Sequence, residues 1–495
     1  MSRALLDTIF AALQGRVVDA DACYERVLRF ESTRAHDGQR STTPYASKSG
    51  LVVRLIGTDG RNLEVSLGDV SPMEARLRLD EALVFLDALS PDPTFRLAPL
   101  PIRDQRHFGP AETPLGPPAE LYERVNRCVD DVEALVAGWQ SGRTTEAQVT
   151  FAFRLYTQAE DKIVADAQGL FRSQSLPQTF LQVEFITRSG VRRGRSVVRF
   201  GDVRGLDEFL SVSGTLAARC RLRLNRGLDH AHRMLDARAL TTAERAAITH
   251  YVLEADAMVF IHEACGHNFE ADIVASGRSG LFTRDGRPID EALGSEAVRL
   301  VDGPPLDALG AYVVDRGFGS QYIDDEGVEV APVVLLDRGR VTGMLHNRET
   351  AARFSATPNG RGFSELGQPR LVRMTNTYLL PSSPEFVRPT LEAFLEGVTF
   401  GVWLSGSYGG QVSAQGMSSS IQSGRIIRDG RLTDEWLLPC TFTVQTRLAL
   451  KSVESFFGPP EFDRPGFCGK GQTKTVTEGG CAARLAAHGA LSVGW

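Results

Sequence analysis

The side chains best placed to do chemistry lie in residues 260–272, which contain His262-Glu263-Ala264-Cys265-Gly266-His267 followed by Glu270 and Asp272. Two imidazoles flanking a carboxylate are the parts of a zinc hydrolase site: neutral nitrogen ligands, and a base beside the ion. In the familiar arrangement the histidines stand at i and i+4, about 40° apart on an α-helix. Here they stand at i and i+5, about 140° apart, and a regular α-helix does not bring them onto one ion. The spacing therefore predicts a distorted helix, and a π-bulge restores the convergence. Gly266 falls inside the spacing, where backbone freedom is easiest to obtain. Glu270 and Asp272 follow within two turns and offer acceptors for the ring N–H groups; Glu270 is alternatively a third ligand. The chain has nine histidines, so close pairs also arise by chance; His230 and His232 form one and are assigned no role.

Zinc needs a third protein ligand. His346, in Gly343-Met344-Leu345-His346-Asn347-Arg348, is one candidate, and Cys468, in Pro465-Gly466-Phe467-Cys468-Gly469-Lys470-Gly471-Gln472, is another. Glycines around Cys468 allow close backbone approach, and Lys470 is expected to favour a thiolate. Cys440 and Cys481 lack this setting, and Cys265 should point away from the two histidines.

These residues must be positioned by a chain of ordinary globular composition, 42% hydrophobic and 23% charged. Its formal net charge of −6 argues against partners that present a phosphate backbone or an anionic membrane, so no nucleic acid and no membrane partner is expected. No run approaches the roughly 18 apolar residues of a membrane span. Asp7, Arg16 and Asp19 interrupt the N-terminal apolar residues, which fit an amphipathic helix better than a signal peptide. A cytoplasmic, reducing location is expected, and seven scattered cysteines do not read as a disulfide framework.

Strands are expected at 26–31 and 51–56, with a hairpin turn at 58–61, and a helix over 72–89. Eight prolines in 91–118 place a linker there. A helix over about 119–138 and strands at 147–157 and 179–186 follow, then a long helix over about 204–239. Gly68-Asp69-Val70 and Gly201-Asp202-Val203 recur 133 residues apart after similar turns, which points to a duplicated strand–helix unit. From about 246 short β-type runs dominate, among them Tyr312-Val313-Val314, 332–336 and 400–404, with hairpin turns at 337–340 and 429–431. The expected class is α+β: duplicated N-terminal strand–helix units, then a mainly antiparallel β catalytic domain. The expected domains are 1–110, an α+β unit ending in the proline-rich linker; 119–245, a second α+β unit; and 246–495, a β-rich domain carrying the histidine motif and Cys468.

The sequence resembles the TldD/PmbA metallopeptidases, and within them the TldD-type catalytic member. The resemblance rests on His262 to His267 with Glu270 and Asp272, on Asp324-Asp325-Glu326-Gly327, on Arg373-Met374-Thr375-Asn376-Thr377, on Gly409-Gly410-Gln411 and on Cys468-Gly469-Lys470-Gly471-Gln472. These five blocks stand in the family's order across about 220 residues. The resemblance implies Zn²⁺ held by His262, His267 and Cys468, with Glu263 as the catalytic carboxylate that takes a proton from water. It implies hydrolysis of small or unfolded peptides, in proteolysis or peptide maturation, inside a channel closed by two subunits. The partner would be a second copy or a TldE-like chain. A glycine-rich β wall over 402–412 could pair with an extended peptide backbone. Two other roles within the family are a non-catalytic subunit or scaffold, and a modulator of DNA gyrase.

Overall fold

The computed structural model describes residues 3–494 apart from 101, 111–114, 144–145, 212–213, 307–316, 414–415, 463 and 488–490; the expected run Tyr312-Val313-Val314 lies outside the described residues. The class is α+β. In the N-terminal half, helix α1 (Arg3–Leu13) precedes strands β1 (Asp19–Arg34), β2 (Arg40–Ile56) and β3 (Asn62–Ser66), and helix α2 (Pro72–Ala88) follows. Ser71 caps α2, accepting from Glu74 N–H, and Pro72 occupies the first turn, where its missing N–H has no intrahelical role. Strand β4 (Gln105–Phe108) and helix α3 (Pro118–Ser141) come next. Then β5 (Gln148–Asp166), β6 (Phe171–Ser189) and β7 (Arg192–Asp202) lead to α4 (Ala218–Arg233).

The two units merge into one sheet of seven strands, because β1 and β5 pair antiparallel from Asp21 to Arg34. In that ladder Val27 faces Glu160, and these two residues are separated by the same 133 positions as the two Gly-Asp-Val triplets. A local two-fold axis through this pair therefore relates the halves, and each half keeps its own core. Leu6, Val53, Leu79 and Leu83 pack in the first; Val125, Phe153, Val183 and Leu224 pack in the second.

Two expectations are corrected. The single helix over 204–239 is not formed. A 3₁₀ turn, Leu206–Phe209, is followed by a return of the chain in which Ser211 N–H donates to Thr215 (2.7 Å), and only then by α4. Gly205 and Gly214, at φ +86° and +77°, take left-handed conformations that a continuous right-handed helix excludes. The proline-rich stretch is also no free tether. Its strand β4 pairs in parallel with the start of β6, and Ala98 N–H donates to the Arg348 carbonyl (2.9 Å). None of its prolines falls within β4, so the pairing loses no ladder hydrogen bond.

The C-terminal half is a mainly antiparallel sheet of 14 strands among the described residues. Its centre is the run of strands Asn376–Pro381, Thr473–Ala486, His250–Leu253, Phe400–Ser413 and Gly416–Arg428. The two hairpin turns form as expected: Arg338 and Gly339, and Asp429 and Gly430, all have positive φ between the strands they join. The large core of this half gathers Phe260, Ile261, Phe269, Val402, Leu404 and Phe442, so the histidine motif is rooted in it.

The halves meet at Asp324-Asp325-Glu326-Gly327. Asp324 ties the loop together, accepting from the N–H groups of Glu326, Val328 and Gly362 (each 2.9 Å). Asp325 pairs with Lys162 of β5 (2.7 Å) and Glu326 with Arg54 of β2 (2.6 Å), all buried. Gly327, at φ +78°, lies where a Cβ would come within 2.9 Å of Leu170.

Candidate metal centre

Residues Ile261–Cys265 form a turn of π-helix, and Gly266–Phe269 continue as a 3₁₀ turn. Gly266 N–H donates to both the His262 and the Ile261 carbonyls, the second closing the wider ring that the i, i+5 spacing demands. The imidazoles of His262 and His267 consequently lie on one side, 5.0 Å apart at their centroids. Gly266 is needed for a different reason from the one expected. Its φ of −55° suits any residue, but a Cβ there would fall 2.1 Å from Met374 Sδ. The glycine thus makes room for the strand connection that carries Arg373 to Thr377.

Cys468 arrives from the strand Pro465–Gly469, which pairs antiparallel with Thr473–Ala486. Its Sγ lies 3.3 Å from His267 Nε2. One donor atom each from His262, His267 and Cys468 falls within 4.8 Å of the other two, the one such group of three among the described residues. The donor set fits a metal on its own terms. Both ring nitrogens of His262 are buried without a hydrogen-bond partner, a costly arrangement unless an ion supplies the missing bond. Two nitrogens and one sulfur suit zinc and leave a fourth position open.

The surroundings prepare the donors. His267 Nδ1 lies 2.8 Å from Glu270 Oε2, so this carboxylate fixes the tautomer that leaves Nε2 facing Cys468. Glu270 is fully buried and also accepts from Met374 N–H (3.2 Å). Burial raises its pKa, but His267 and Lys470 outweigh this and hold it near 2. Burial likewise opposes the Cys468 thiolate, yet His262 and His267 pull its pKa down to about 4. The imidazoles, not Lys470, favour the thiolate. Lys470 turns away to Asp272 (2.7 Å) and Glu270 (3.0 Å). Asp272 therefore serves Lys470 and the Val372 N–H rather than an imidazole.

The other candidate ligands are elsewhere. His346 is buried beside Thr350 and Phe354, outside the group of three. Cys265 is fully buried in the hydrophobic core, and Cys440 and Cys481 lie on sheet strands. Glu263 projects towards the ion site without joining it, its Oε2 3.7 Å from His267 Nε2. A cleft of about 360 Å³ opens beside it, lined by Gly406 to Gly410, by Pro465 to Phe467, and by Arg199 and Glu478. At Gly410 a Cβ would sit 3.3 Å from Glu263 Cγ, so glycine lets the strand come this close. Glu478 carried no advance signal, whereas Arg373 stood in one of the blocks that carry the family resemblance, with no role given to it. Glu478 reaches within 3.9 Å of His262 Nδ1, and burial lifts its carboxyl to about 7. Arg373 donates to the Cys468 carbonyl (2.8 Å) and holds the hairpin in place.

Comparison with known proteins finds similarity over the segment that carries this group of donors. Residues 249–473 match the profile of the PmbA/TldA metallopeptidase C-terminal domain. A metalloprotease of Methanothermobacter thermautotrophicus is 36% identical over 231 residues, covering 46% of each chain. A zinc metalloprotease TldD homolog of Saccharolobus solfataricus is 29% identical over 233 residues, covering 45% of this chain and 46% of that one. The chain spans about half the length of these curated relatives. TldE from Thermococcus kodakarensis shares the fold over 99% of this chain and 100% of its own, with a TM-score of 0.70 at 13% identity. Residues 249–473 carry the C-terminal domain of the TldD/PmbA family.

Proposed function

We propose that the protein is a TldD-type zinc metallopeptidase that hydrolyses small or unfolded peptides. His262, His267 and Cys468 hold Zn²⁺, and Glu263 is the general base. The observation that carries this reading is the convergence of three buried donors, His262 with both nitrogens unpartnered, beside a carboxylate at the mouth of a cleft. Zinc bound there would polarise the scissile carbonyl and stabilise charge developing on its oxygen.

The chain's own groups supply the rest. Glu263 faces the cleft with 17% of its side chain exposed, close enough to water to take its proton and pass it to the leaving amine. The strand Phe400–Ser413 pairs with His250–Leu253 only along 401–404, so beyond Gly406 its cleft-side edge is free of strand partners among the described residues. An extended peptide adding to that edge would be read by its main chain, which suits broad sequence tolerance. The fold shared with TldE supports pairing with a TldE-like subunit or a second copy, and action in the cytoplasm is part of this reading; no helix among the described residues is long and apolar enough to cross a membrane. A non-catalytic scaffold has no use for this donor set, and the net charge of −6 offers no surface to a gyrase–DNA complex.

The test is incubation of the zinc-loaded chain with a mixed peptide pool, with and without a TldE-like partner, followed by mass spectrometry. Cleavage is expected, and Glu263→Gln should reduce it by about 10²–10⁴-fold. Zinc content should stay near one per chain in that variant. Loss of zinc would make Glu263 a ligand, and retained activity would place the base elsewhere.

A further inference from the structure

A second chamber, about 570 Å³, adjoins the cleft between α4 and the strands Phe400–Ser413 and Gly416–Arg428. The two spaces share walls at Val197, Asp256, Gly406, Gln422 and Arg464. None of the hydrolytic steps above uses it, yet its lining is built for a ligand. The polar atoms His230 Nε2, Trp436 Nε1 and Ser423 Oγ of that lining are buried with no hydrogen-bond partner. Ser423 is 0% exposed. Buried polar groups in folded proteins are nearly always paired, so such atoms around one chamber mark a place where a ligand completes them.

The same walls decide the sign of that ligand. His230 Nδ1 is taken by Ser196 Oγ (3.0 Å), so with the hydroxyl donating, Nε2 carries a hydrogen into the chamber. Trp436 Nε1 is a donor only. The carboxylates of the lining are already engaged. Glu254 accepts from Trp403 Nε1 (2.7 Å), and Asp256 accepts from Gly406 N–H (2.8 Å). Asp229 pairs with Arg143, and Glu461 with Arg464. Arg226 and Arg233, flanking His230 on α4, have no ion-pair partner among the described residues. Free donors and free guanidinium groups thus face one space.

We infer that this chamber is a substrate subsite that binds a carboxylate of the peptide, held by Arg226 and Arg233 and by the N–H groups of His230 and Trp436. The carboxylate is the peptide's C-terminus or the side chain of an acidic residue near it. This deepens the peptidase reading and rests on it: a peptide laid along the free edge beyond Gly406 leads from the ion site towards the chamber.

Binding separates the inference from the chemistry. The full-length Glu263→Gln chain is titrated with ten-residue peptides of one sequence in three forms: free C-terminal acid, C-terminal amide, and amide with glutamate as the last residue. Fluorescence of Trp403 and Trp436, two of the chain's four tryptophans, reports occupancy. The free acid, the glutamate form, or both are expected to bind about tenfold more tightly than the plain amide, as a charge-assisted pair provides. The form that gains identifies the source of the carboxylate. Replacing Arg226 and Arg233 by Ala, both exposed on α4, should abolish that gain. Equal affinity for all three forms, or a gain that survives the double replacement, would overturn the subsite. Cleavage by the zinc-loaded wild-type chain is scored separately. Absence of cleavage with the carboxylate preference intact would sink the peptidase reading alone.

Discussion

Cys468 illustrates how far one residue's chemistry is set by its neighbours. An isolated buried thiol stays protonated, as Cys440 does with its pKa pushed up to about 12 by burial. Cys468 is also buried, but two imidazoles face it, and they outweigh desolvation. Cys468→Ser keeps the shape and removes the thiolate. Zinc content of the purified variant should fall well below one per chain, and zinc retained at wild-type affinity would return the third position to Glu270 or His346. His346 itself makes a separate prediction. Burial depresses its pKa from 6.5 to about 4, so the folded state keeps it neutral. A depressed histidine contributes stability that is fully present above the unfolded pKa and lost as pH falls towards the folded one. Between pH 6.5 and 4 this one group should therefore cost about 3 kcal/mol of stability. Denaturant midpoints measured across that window should fall less steeply in His346→Gln than in the wild type, and identical slopes would refute the assignment.

At the scale of an element, the π-turn Ile261–Cys265 and the connection through Met374 are one device. The wider turn brings two histidines together, and the glycine that follows it lets Met374 close over it. Met374 N–H in turn binds Glu270, which orients His267. Gly266→Ala forces Met374 aside and should lower stability by about 1–3 kcal/mol, the range for overpacking a filled core. Because the clash is with a side chain, adding Met374→Ala should restore part of that loss, which a double-mutant cycle measures. Additive losses would show that the backbone, and not Met374, is the obstacle. The same element was half legible in advance. The i, i+5 spacing demanded a distorted helix, but nothing local announced that the glycine answers to a residue 108 positions later.

On the scale of the whole molecule, the two halves are joined by buried charge as well as by apolar clusters such as Leu100, Phe108, Val164 and Leu170 with Ile323 and Val328, and Tyr156 and Phe180 with Phe318. Asp21, Arg54, Glu64, Glu326 and Arg370 form one buried network. Glu326 receives Arg54 at 2.6 Å and the Arg348 N–H at 2.6 Å. Removing one partner of a buried pair leaves an uncompensated charge and typically costs about 3–5 kcal/mol. Glu326→Ala should show a loss of that size in chemical denaturation, together with faster proteolysis at the junction. A change below about 1 kcal/mol, the value of a surface pair, would mean that water reaches Arg54.

The sequence by itself determined what depends on near neighbours. Helix α2, the turns at Asp-Gly and Arg-Gly, the duplication and the need for a π-turn all follow from spacing and local backbone preference. The histidine pair and Glu263 were legible for the same reason. Tertiary structure alone decided which distant groups complete them. Residue types alone left Cys468 and His346 both open and the family resemblance named Cys468; that Cys468 lies beside the two histidines, and that Lys470 goes to Asp272 and Glu270, depends on where the hairpin around Cys468 lands, 200 residues after the motif. Glu478 had no recognisable spacing, because a strand can deliver any side chain on one face to a site once its register is set. The long helix expected over 204–239 failed on the same ground: α4 packs against β7, and Gly205 and Gly214 take left-handed conformations before it.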